Sequence, residues 1–292
     1  MKKKSCALVG SGRVGTSISY LLQQSDYDLR TVVDLSEENL ERASNYLKGQ
    51  INFTTDINQL PDDLDFIILG VNDDAIGKVA VELYRKELVK EGQVLVHLSG
   101  AHPSDVDQLT EMEGIGRLSI HPLQSVADVE AGISKLPHSV WSLEGDQMGR
   151  KIGEEILESL GVEWIEIEKE QKALYHASAC VVSNYLVTLM KKGIEMLEKV
   201  GFSEELAQQA LMPLVQGTVS NLTKKTPEEA LTGPIARGDY DTIARHLQTI
   251  NKEEPDWLDF YKILGQETVD YATLSDKDEK KLLQILSRED LR

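Results

Sequence analysis

The sequence has little of what marks secreted, disulfide-stabilised or zinc-binding proteins. Its 292 residues include only two cysteines, Cys6 and Cys180. Two isolated cysteines make neither a disulfide framework nor a zinc site, and their presence as free thiols fits a reducing compartment. We therefore expect a cytoplasmic protein without a bound metal.

Positive charge is also scarce. Lysine and arginine total 31 against 49 aspartates and glutamates, the formal charge is −18, and no long basic run offsets it. Such a surface repels a phosphate backbone, so we expect no nucleic-acid partner. A site for an anionic ligand must instead draw positive potential from backbone N–H groups and a few arginines or lysines.

Long hydrophobic runs are missing. The apolar run that follows Met1-Lys2-Lys3-Lys4 covers residues 6–9, which is too short for a signal peptide. The most apolar helical stretch, residues 177–190, has 14 residues and contains Ser178, Ser183, Asn184 and Thr188. Because a membrane span needs roughly 20 mostly apolar residues, we predict no membrane segment.

Short β-rich runs and helical patterns alternate over the first 167 residues. This alternation predicts an α/β fold, a doubly wound parallel sheet with helices on both faces. The predicted strands are residues 5–9, 29–33, 65–71, 93–98, 116–120, 139–143 and 163–167, with helical stretches at 15–24, 36–48 and 74–89.

Beyond residue 167 the pattern is helical throughout. One long helix is predicted over residues 168–200, and another over about 256–273. Ser203, Thr226 and Asp239 stand where helix N-caps are expected, and the charged tail from Ser275 predicts a peripheral helix. We therefore predict two domains, an α/β domain over residues 1–167 and an all-α domain over residues 168–292.

A glycine motif follows the first predicted strand and opens the first helix: Gly10, Ser11, Gly12, Arg13, Val14 and Gly15. In a dinucleotide-binding turn the first glycine permits the tight turn, the second lets the backbone approach a diphosphate, and the third lets the helix pack on the strand. The helix N-terminus then presents free N–H groups to the phosphates, and Arg13 can add a contact. The α/β domain is thus predicted to be a Rossmann-type dinucleotide-binding domain.

An acidic residue, Asp34, ends the second predicted strand where it can bind ribose hydroxyls. Its carboxylate would repel a 2′-phosphate, and no arginine stands beside it, so the cofactor is NAD or NADP with a tilt towards NAD. Val71 and Asn72 after one strand, and Ser99 and Gly100 after another, are also predicted to line the cofactor path. Asn72 can equally be a simple helix cap.

Candidate chemical groups lie on the long central helix. Lys172, His176 and Asn184 share a polar side of an otherwise apolar helix, so they face a cavity or pair between helices. Lys172 or His176 can donate the proton that hydride transfer requires, although Lys172 can instead reach solvent. The sequence leaves open which of the two is the general acid.

Two further candidates lie outside that helix. Arg237, in a glycine- and proline-rich turn, can hold a substrate carboxylate, while Asp239 caps the next helix. His121 follows a predicted strand end. His97 and His102 lie near the end of the neighbouring strand, but the spacing of the three histidines matches no metal-ligand pattern.

Five segments of the sequence, taken in their order along the chain, resemble those of a known family. The resemblance is to bacterial Rossmann-like NAD(P) oxidoreductases with a helical C-terminal domain of formerly unknown function, called coenzyme F420-dependent-like NADP oxidoreductases. It covers nearly the whole chain up to about Leu274. The segments are Gly10 to Gly15, His97-Leu98-Ser99-Gly100, His121-Pro122-Leu123-Gln124-Ser125, Tyr175-His176-Ala177 with Ser183-Asn184-Tyr185, and Leu231-Thr232-Gly233-Pro234 with Arg237-Gly238-Asp239.

The resemblance implies a C-terminal domain like that of 6-phosphogluconate dehydrogenase, which shares in forming a homodimer. It also implies that His121, His176, Asn184 and Arg237 surround a small-molecule substrate. Some members are similar to alternative ketopantoate reductases. Ordinary ketopantoate reductases show lysine, three residues and then asparagine, whereas here His176 comes four residues after Lys172.

The sequence thus predicts hydride transfer between NAD(P)H and a small carboxylate-bearing carbonyl compound, with 2-dehydropantoate (ketopantoate) the best single substrate. An imine reductase or an F420-linked oxidoreductase is the alternative within enzymes. Outside enzymes, the alternative is a binding protein that senses NADH.

Overall fold

The computed structural model describes residues 3–106 and 112–287. Residues 1–2, 107–111 and 288–292 lie outside that description. The first two residues of the Met1-Lys2-Lys3-Lys4 segment, considered above as the start of a signal peptide, are among them. Contacts divide the chain into two compact units, Met1–Val187 and Thr188–Arg292. The predicted boundary at residue 167 marks the end of the strands rather than this division, and it stays a prediction.

The described part of the first unit contains one eight-stranded sheet. Its strands are β1 Ser5–Val9, β2 Asp28–Val33, β3 Asn52–Thr54, β4 Phe66–Leu69, β5 Val94–His97, β6 Gly116–Pro122, β7 Val140–Gly145 and β8 Glu163–Glu166. They lie in the order β3-β2-β1-β4-β5-β6-β7-β8, and all neighbouring strands are parallel except β6 and β7. The mainly parallel sheet was predicted, whereas β3 and the antiparallel pair were not.

Alternate residues of the central strands enter two separate hydrophobic cores. Leu8 and Ile68 belong to the core on one face, and Ala7 and Ile67 to the core on the other. Because successive strand side chains point to opposite faces, a sheet covered on both sides needs apolar residues at every position. The continuous apolar run of β4 meets this requirement.

Within the described residues, five α-helices accompany the sheet: α1 Arg13–Gln24, α2 Glu37–Tyr46, α3 Asp73–Arg85, α4 Val129–Lys135 and α5 Gln147–Leu160. Side chains cap three of them, since Ser36, Asp128 and Asp146 accept a hydrogen bond from a first-turn N–H of α2, α4 and α5. The helix α1 differs, because Gly12 is its N-cap and no side chain caps it.

The single helix predicted over residues 168–200 is divided in the structure. After a 3-10 turn at Lys169–Gln171, α6 covers Lys172–Val182 and α7 covers Asn184–Lys199. Ser183 separates them with φ −108° and ψ −67°, outside ideal helical geometry. By length and composition alone, Lys169–Lys199 is long and apolar enough to cross a membrane, which for one such helix is weak evidence.

The division between the two compact units falls inside α7. The helices after it are α8 Glu204–Leu222, α9 Pro227–Ala230, α10 Tyr240–Glu253, α11 Leu258–Tyr271 and α12 Asp276–Leu286. Ser203, Thr226 and Asp239 are N-caps as predicted. The tail helix α12 is not peripheral, because Leu282 and Leu286 are fully buried in the core of this unit.

Candidate functional site

Three glycines meet where β1 ends, α1 begins and β4 ends. Gly10 has φ +91°, and a Cβ there would lie 2.6 Å from Val71 Cγ1. A Cβ on Gly15 would lie 2.9 Å from the Gly10 carbonyl oxygen, and one on Gly70 only 2.4 Å from the same atom. No side chain fits at these three positions, so the tight turn and close helix packing predicted from the motif are present.

Gly12 is different, because no protein atom requires it to be a glycine. A Cβ there would meet only the Gly70 carbonyl oxygen, at an ordinary 3.4 Å. The first turn of α1 carries no acidic residue and no side-chain cap. Its leading N–H groups are therefore available to an anion, and Gly12 leaves the space through which a phosphate can approach.

A cleft of about 680 Å³ lies over this turn. We call it the glycine-loop cleft, and its size suits a dinucleotide. Of the predicted residues it is lined by Gly12, Arg13, Val14, Gly15, Val71, Asn72, Ser99 and His121. Gly10, Ser11, Asp34 and Gly100 do not line it. Seven more residues complete the lining. Gly70 and Asp73 flank Val71 and Asn72 in the turn predicted to line the cofactor path, and Leu98, Pro122 and Gln124 lie in segments that carry the family resemblance. The sequence did not single out Arg42 and Val126.

Asp34 is held by the protein's own donors. One carboxylate oxygen accepts from the Ser11 N–H at 2.7 Å and the Ser11 hydroxyl at 3.0 Å. The other accepts from the Ser36 N–H at 2.9 Å and the Asn39 amide at 3.2 Å. Asp34 thus fixes Ser11 within the glycine turn, while its predicted contact with ribose stays a prediction.

The turns after β4 and β5 are linked through Ser99. Its hydroxyl donates to Asp73 at 2.9 Å and accepts the N–H groups of Ala101 and His102 at 3.2 and 3.1 Å. Asn72 occupies the N-cap position of α3 without making a side-chain cap, so capping does not account for it. Gly100 is required by a neighbour, since a Cβ there would lie 2.8 Å from Cε1 of His121.

A second cavity of about 500 Å³ adjoins His121 and α6, and we call it the His176 cavity. His121 and Gln124 line both this cavity and the glycine-loop cleft. The His121 and His176 rings lie edge to face with centroids 6.1 Å apart. The structure therefore brings together His121, His176 and Asn184. The lining is His121, Leu123, Gln124, Ser125, His176, Ser178, Ala179, Cys180, Val182, Ser183 and Asn184.

The two histidines differ in their partners. His121 Nδ1 lies 3.1 Å from the Tyr175 hydroxyl, which also donates to the His121 carbonyl oxygen at 3.3 Å. Burial, followed by the positive charge of Lys172, lowers the pKa of His121 to about 4. Among the residues that the structure describes, the buried Nδ1 of His176 has no hydrogen-bond partner. His121 is thus a neutral, fixed ring, while His176 keeps an uncommitted nitrogen beside the cavity.

Tyr175 is a site residue that sequence reasoning missed. In the sequence it belongs to the segment Tyr175-His176-Ala177, in which only the histidine was predicted to contact the substrate. Its phenol ring packs edge to face on His121 with centroids 5.6 Å apart. Only the contact with a residue 54 positions away, across the fold, reveals the pair.

Lys172 lies behind the site rather than in it. The side chain is 1% exposed, which contradicts the alternative that it reaches solvent, and it lines neither cavity. Its ammonium donates to the Ser119 hydroxyl at 2.6 Å, and that hydroxyl donates to the Ser99 carbonyl oxygen at 3.1 Å. Burial lowers the pKa of Lys172 to about 8, opposed by the charges of Glu144 and Asp73.

His97 is structural. Its Nε2 lies 3.0 Å from the Pro103 carbonyl oxygen, and its Nδ1 accepts the Ser99 N–H at 3.3 Å. Burial lowers the pKa of His97 to about 3, so the ring is neutral. Within residues 3–106 and 112–287 no group of three or more histidine, cysteine, aspartate or glutamate side chains is placed to hold a metal ion.

Arg237 belongs to the second compact unit and is exposed in the turn before α10. Asp239 caps α10, accepting the Thr242 N–H at 3.1 Å and the Thr242 hydroxyl at 2.8 Å. The capping role of Asp239 is confirmed, and the carboxylate-binding role of Arg237 stays a prediction.

The glycine turn, the uncapped α1 and the parallel sheet define a Rossmann-type dinucleotide-binding domain. Residues 2–122 match the family described as a Rossmann-like domain. Residues 139–268 match the family described as a domain of unknown function, DUF2520. These two successive matches agree with the resemblance noted in the sequence. A comparison with curated protein sequences gives no match.

Several solved structures share the fold. Protein TM1727 from Thermotoga maritima is 26% identical, with a TM-score of 0.68 over 98% of this chain and 100% of its own. BF3122 from Bacteroides fragilis, described as an NADP oxidoreductase, is 20% identical, with a TM-score of 0.69 over 90% of this chain and 96% of its own. An imine reductase from Myxococcus stipitatus (V8 variant, with NAD+) is 17% identical, with a TM-score of 0.57 over 97% of this chain and 100% of its own.

Replacing glycines in the turn tests how it binds a dinucleotide. Gly12→Ala should lower the free energy of unfolding by about 1 kcal/mol or less, because alanine is a poorer N-cap than glycine. It should weaken NADH and NADPH about tenfold or more, because the new methyl group blocks the ligand's approach. Gly70→Ala should lower the free energy of unfolding by about 1–3 kcal/mol, because its methyl group overlaps the Gly10 carbonyl. Thermal unfolding and calorimetric titration measure the two effects. Wild-type affinity in folded Gly12→Ala would contradict the assigned phosphate path.

The pH dependence of stability tests the burial of Lys172. Since the folded pKa is about 8 and the unfolded value 10.5, the unfolded chain holds one more proton between these values, and stability rises with pH. Relative to Lys172→Met, the wild type should gain about 2–3 kcal/mol in free energy of unfolding between about pH 7 and pH 10.

The matched control is exposed Lys169, whose pKa is raised by its hydrogen bond and ion pair with Asp105. Relative to Lys169→Met, the wild type should therefore change little between about pH 7 and pH 10 and should lose stability only above about pH 10.5. Urea unfolding at several pH values gives both differences. If the Lys172 difference is as flat as the Lys169 difference between about pH 7 and pH 10, Lys172 is not held as a buried amine.

Proposed function

We propose that this protein is an NAD(P)H-dependent oxidoreductase that reduces the C=O or C=N bond of a small molecule. The observation that carries the proposal is the wall shared by the glycine-loop cleft and the His176 cavity, formed by His121 and Gln124. A reduced dinucleotide in the cleft supplies a hydride. A substrate in the adjoining cavity lies beside two imidazole rings, one of which retains an uncommitted nitrogen.

His176 is the proposed proton donor. Hydride addition to a carbonyl carbon leaves negative charge on the oxygen, which needs a proton from a group within hydrogen-bond reach. His176 lines the cavity, whereas Lys172 is buried against Ser119. Of the two acids that the sequence left open, the geometry favours His176. Neutral His121, fixed by Tyr175, orients the substrate, and the Lys172 charge helps to keep His121 neutral.

The proposed substrate is a small 2-oxo acid, with ketopantoate the first compound to test. The cavity of about 500 Å³ accommodates a compound of this size, and its polar groups are imidazoles, hydroxyls and amides. A substrate carboxylate also needs a cationic partner. Arg237 is the candidate from sequence, since its guanidinium is exposed and can make a bidentate contact.

A second candidate is imine reduction. Among the described residues, no lysine or arginine lines the His176 cavity, which favours a substrate without a carboxylate there. One structure with the same fold is that of an imine reductase in complex with NAD+. In this reading His176 protonates the nitrogen rather than an oxygen.

Turnover of candidate substrates decides between these functions. Purified protein should reduce ketopantoate with NADH or NADPH. The reaction is measured as the loss of the absorbance of the reduced nicotinamide. His176→Gln should lower kcat about 100-fold or more while leaving nucleotide affinity unchanged, because it removes only proton donation. His102→Gln, whose side chain lines neither cavity, is the matched control.

The other outcomes are equally informative. Reduction of cyclic imines without reduction of 2-oxo acids would show that the substrate is an imine rather than the proposed carbonyl compound. Turnover with reduced coenzyme F420 but with neither NADH nor NADPH would identify F420, rather than a nicotinamide dinucleotide, as the hydride donor. Tight NADH binding without turnover on any of these would identify the sensing protein as the correct alternative, and absence of dinucleotide binding would overturn the proposal altogether.

We also propose a cytoplasmic homodimer formed through the helical part of the chain. Large apolar side chains along α6 and α7 are exposed, among them Leu174 at 76%, Val182 at 72% and Val187 at 70%. Large apolar side chains exposed along two successive helices form a surface that marks an interface. Its interruption by polar residues and the turn at Ser183 favours a second protein copy over a bilayer.

The oligomeric state tests this interface. Light scattering should give about twice the chain mass of 32.6 kDa at micromolar concentration. Leu174→Asp with Val187→Asp should shift the mass to that of the monomer, because a buried unpaired carboxylate is costly. Leu35→Asp, at a 93% exposed position outside these helices, should leave the dimer intact. A monomeric wild type, or one recovered with membranes, would contradict the proposal.

A further inference from the structure

We propose that Arg42, rather than Asp34, sets the choice of dinucleotide, and that it binds the 2′-phosphate of NADP(H). This inference rests on the dinucleotide binding proposed above and names the form of the cofactor. It is opposite to the tilt towards NAD that Asp34 gives in the sequence. The two expectations differ because donors of the protein itself already hydrogen-bond to the Asp34 carboxylate.

The Asp34 carboxylate has no acceptor site to spare. A carboxylate offers about four lone-pair sites, and here four donors fill them, two on each oxygen. A ribose 2′-hydroxyl would have to displace one of these donors to bind. Asp34 also does not line the glycine-loop cleft. Its carboxylate therefore positions the glycine turn and α2 and is poorly placed to select NAD.

Arg42 lies on α2, the helix that follows β2 and Asp34, and it does line the cleft. Its Nη2 donates to the Asn39 side-chain oxygen at 2.7 Å and to the Ser11 carbonyl oxygen at 3.4 Å. Since Asn39 and Ser11 are also the residues that hold Asp34, the guanidinium lies at the position where this fold binds the ribose of the adenosine.

The donors of Arg42 are not all used. Within the described residues, its buried Nε has no hydrogen-bond partner, and its side chain donates to neutral oxygens of Asn39 and Ser11. An unmet buried N–H is costly unless a ligand accepts from it. Phosphate suits this position, because a guanidinium offers a fork of donors that matches phosphate oxygens.

Arg13 provides the internal comparison. It opens α1, is exposed and lines the same cleft beside the uncapped N-terminus of that helix. That position suits the diphosphate, which NAD and NADP share. Arg13 is therefore expected to add affinity for both dinucleotides, whereas Arg42 adds affinity only for the one with a 2′-phosphate.

Calorimetric titration separates the two roles without any turnover. The wild type should bind NADPH about tenfold or more tightly than NADH, and 2′,5′-ADP more tightly than 5′-AMP. Arg42→Gln should abolish these preferences by weakening NADPH and 2′,5′-ADP about tenfold or more while leaving NADH within about threefold. Arg13→Gln should weaken NADH and NADPH to a similar degree. Thermal unfolding confirms that each variant is folded.

Three results would overturn the assignment. They are a wild type that prefers NADH, an Arg42→Gln variant that weakens NADH as much as NADPH, and a folded variant that leaves NADPH affinity unchanged. Binding of neither dinucleotide would overturn the proposed function as well. Binding of NADPH without reduction of any substrate would overturn only the proposed reaction, because the Arg42 assignment depends on affinity alone.

Discussion

The candidate site depends on the close contact of three backbones at Gly10, Gly15 and Gly70. A single methyl group on Gly70 would lie 2.4 Å from the Gly10 carbonyl oxygen, so β1, α1 and β4 keep their positions only while these residues are glycines. This contact directs the start of α1 at the cleft and places the end of β4 beside it. The lining from Val71 to Asp73 and the exposed N–H groups of α1 follow from it.

A second constraint is the polar layer beneath the cleft. Lys172, Ser119, Ser99 and Asp73 are linked by side-chain and backbone hydrogen bonds, and most of this layer is buried. A buried ammonium is tolerated here because hydroxyls and the charges of Glu144 and Asp73 offset part of its desolvation. The layer fixes the ends of β5 and β6, and with them the ring of His121. Positioning in this part of the site is therefore electrostatic as well as steric.

How much of this was predictable depends on the sequence separation of the interacting residues. The glycine turn, the parallel strands and the N-caps Ser203, Thr226 and Asp239 follow from local patterns, and the structure contains them. The break at Ser183, the burial of α12 and the antiparallel β7 depend on tertiary packing, which local propensity does not encode. Tyr175 and Arg42 were missed for the same reason, since each acquires its role from residues distant in sequence.

The electrostatics of the cleft explain how a chain of charge −18 can hold an anionic cofactor. The positive groups are few, but each lies where a phosphate is expected: the N-terminus of α1, Arg13 beside it and Arg42 at the ribose end. Two acidic groups lie nearby. Asp34, outside the lining, is surrounded by four donors that satisfy its charge, and Asp73, which lines the cleft, accepts the Ser99 hydroxyl. A local positive site on an otherwise acidic protein discriminates by position, because a phosphate is attracted at the cleft and repelled elsewhere. Small anionic ligands that fit the cleft are thereby favoured over long polyanions, which cannot avoid the acidic surface.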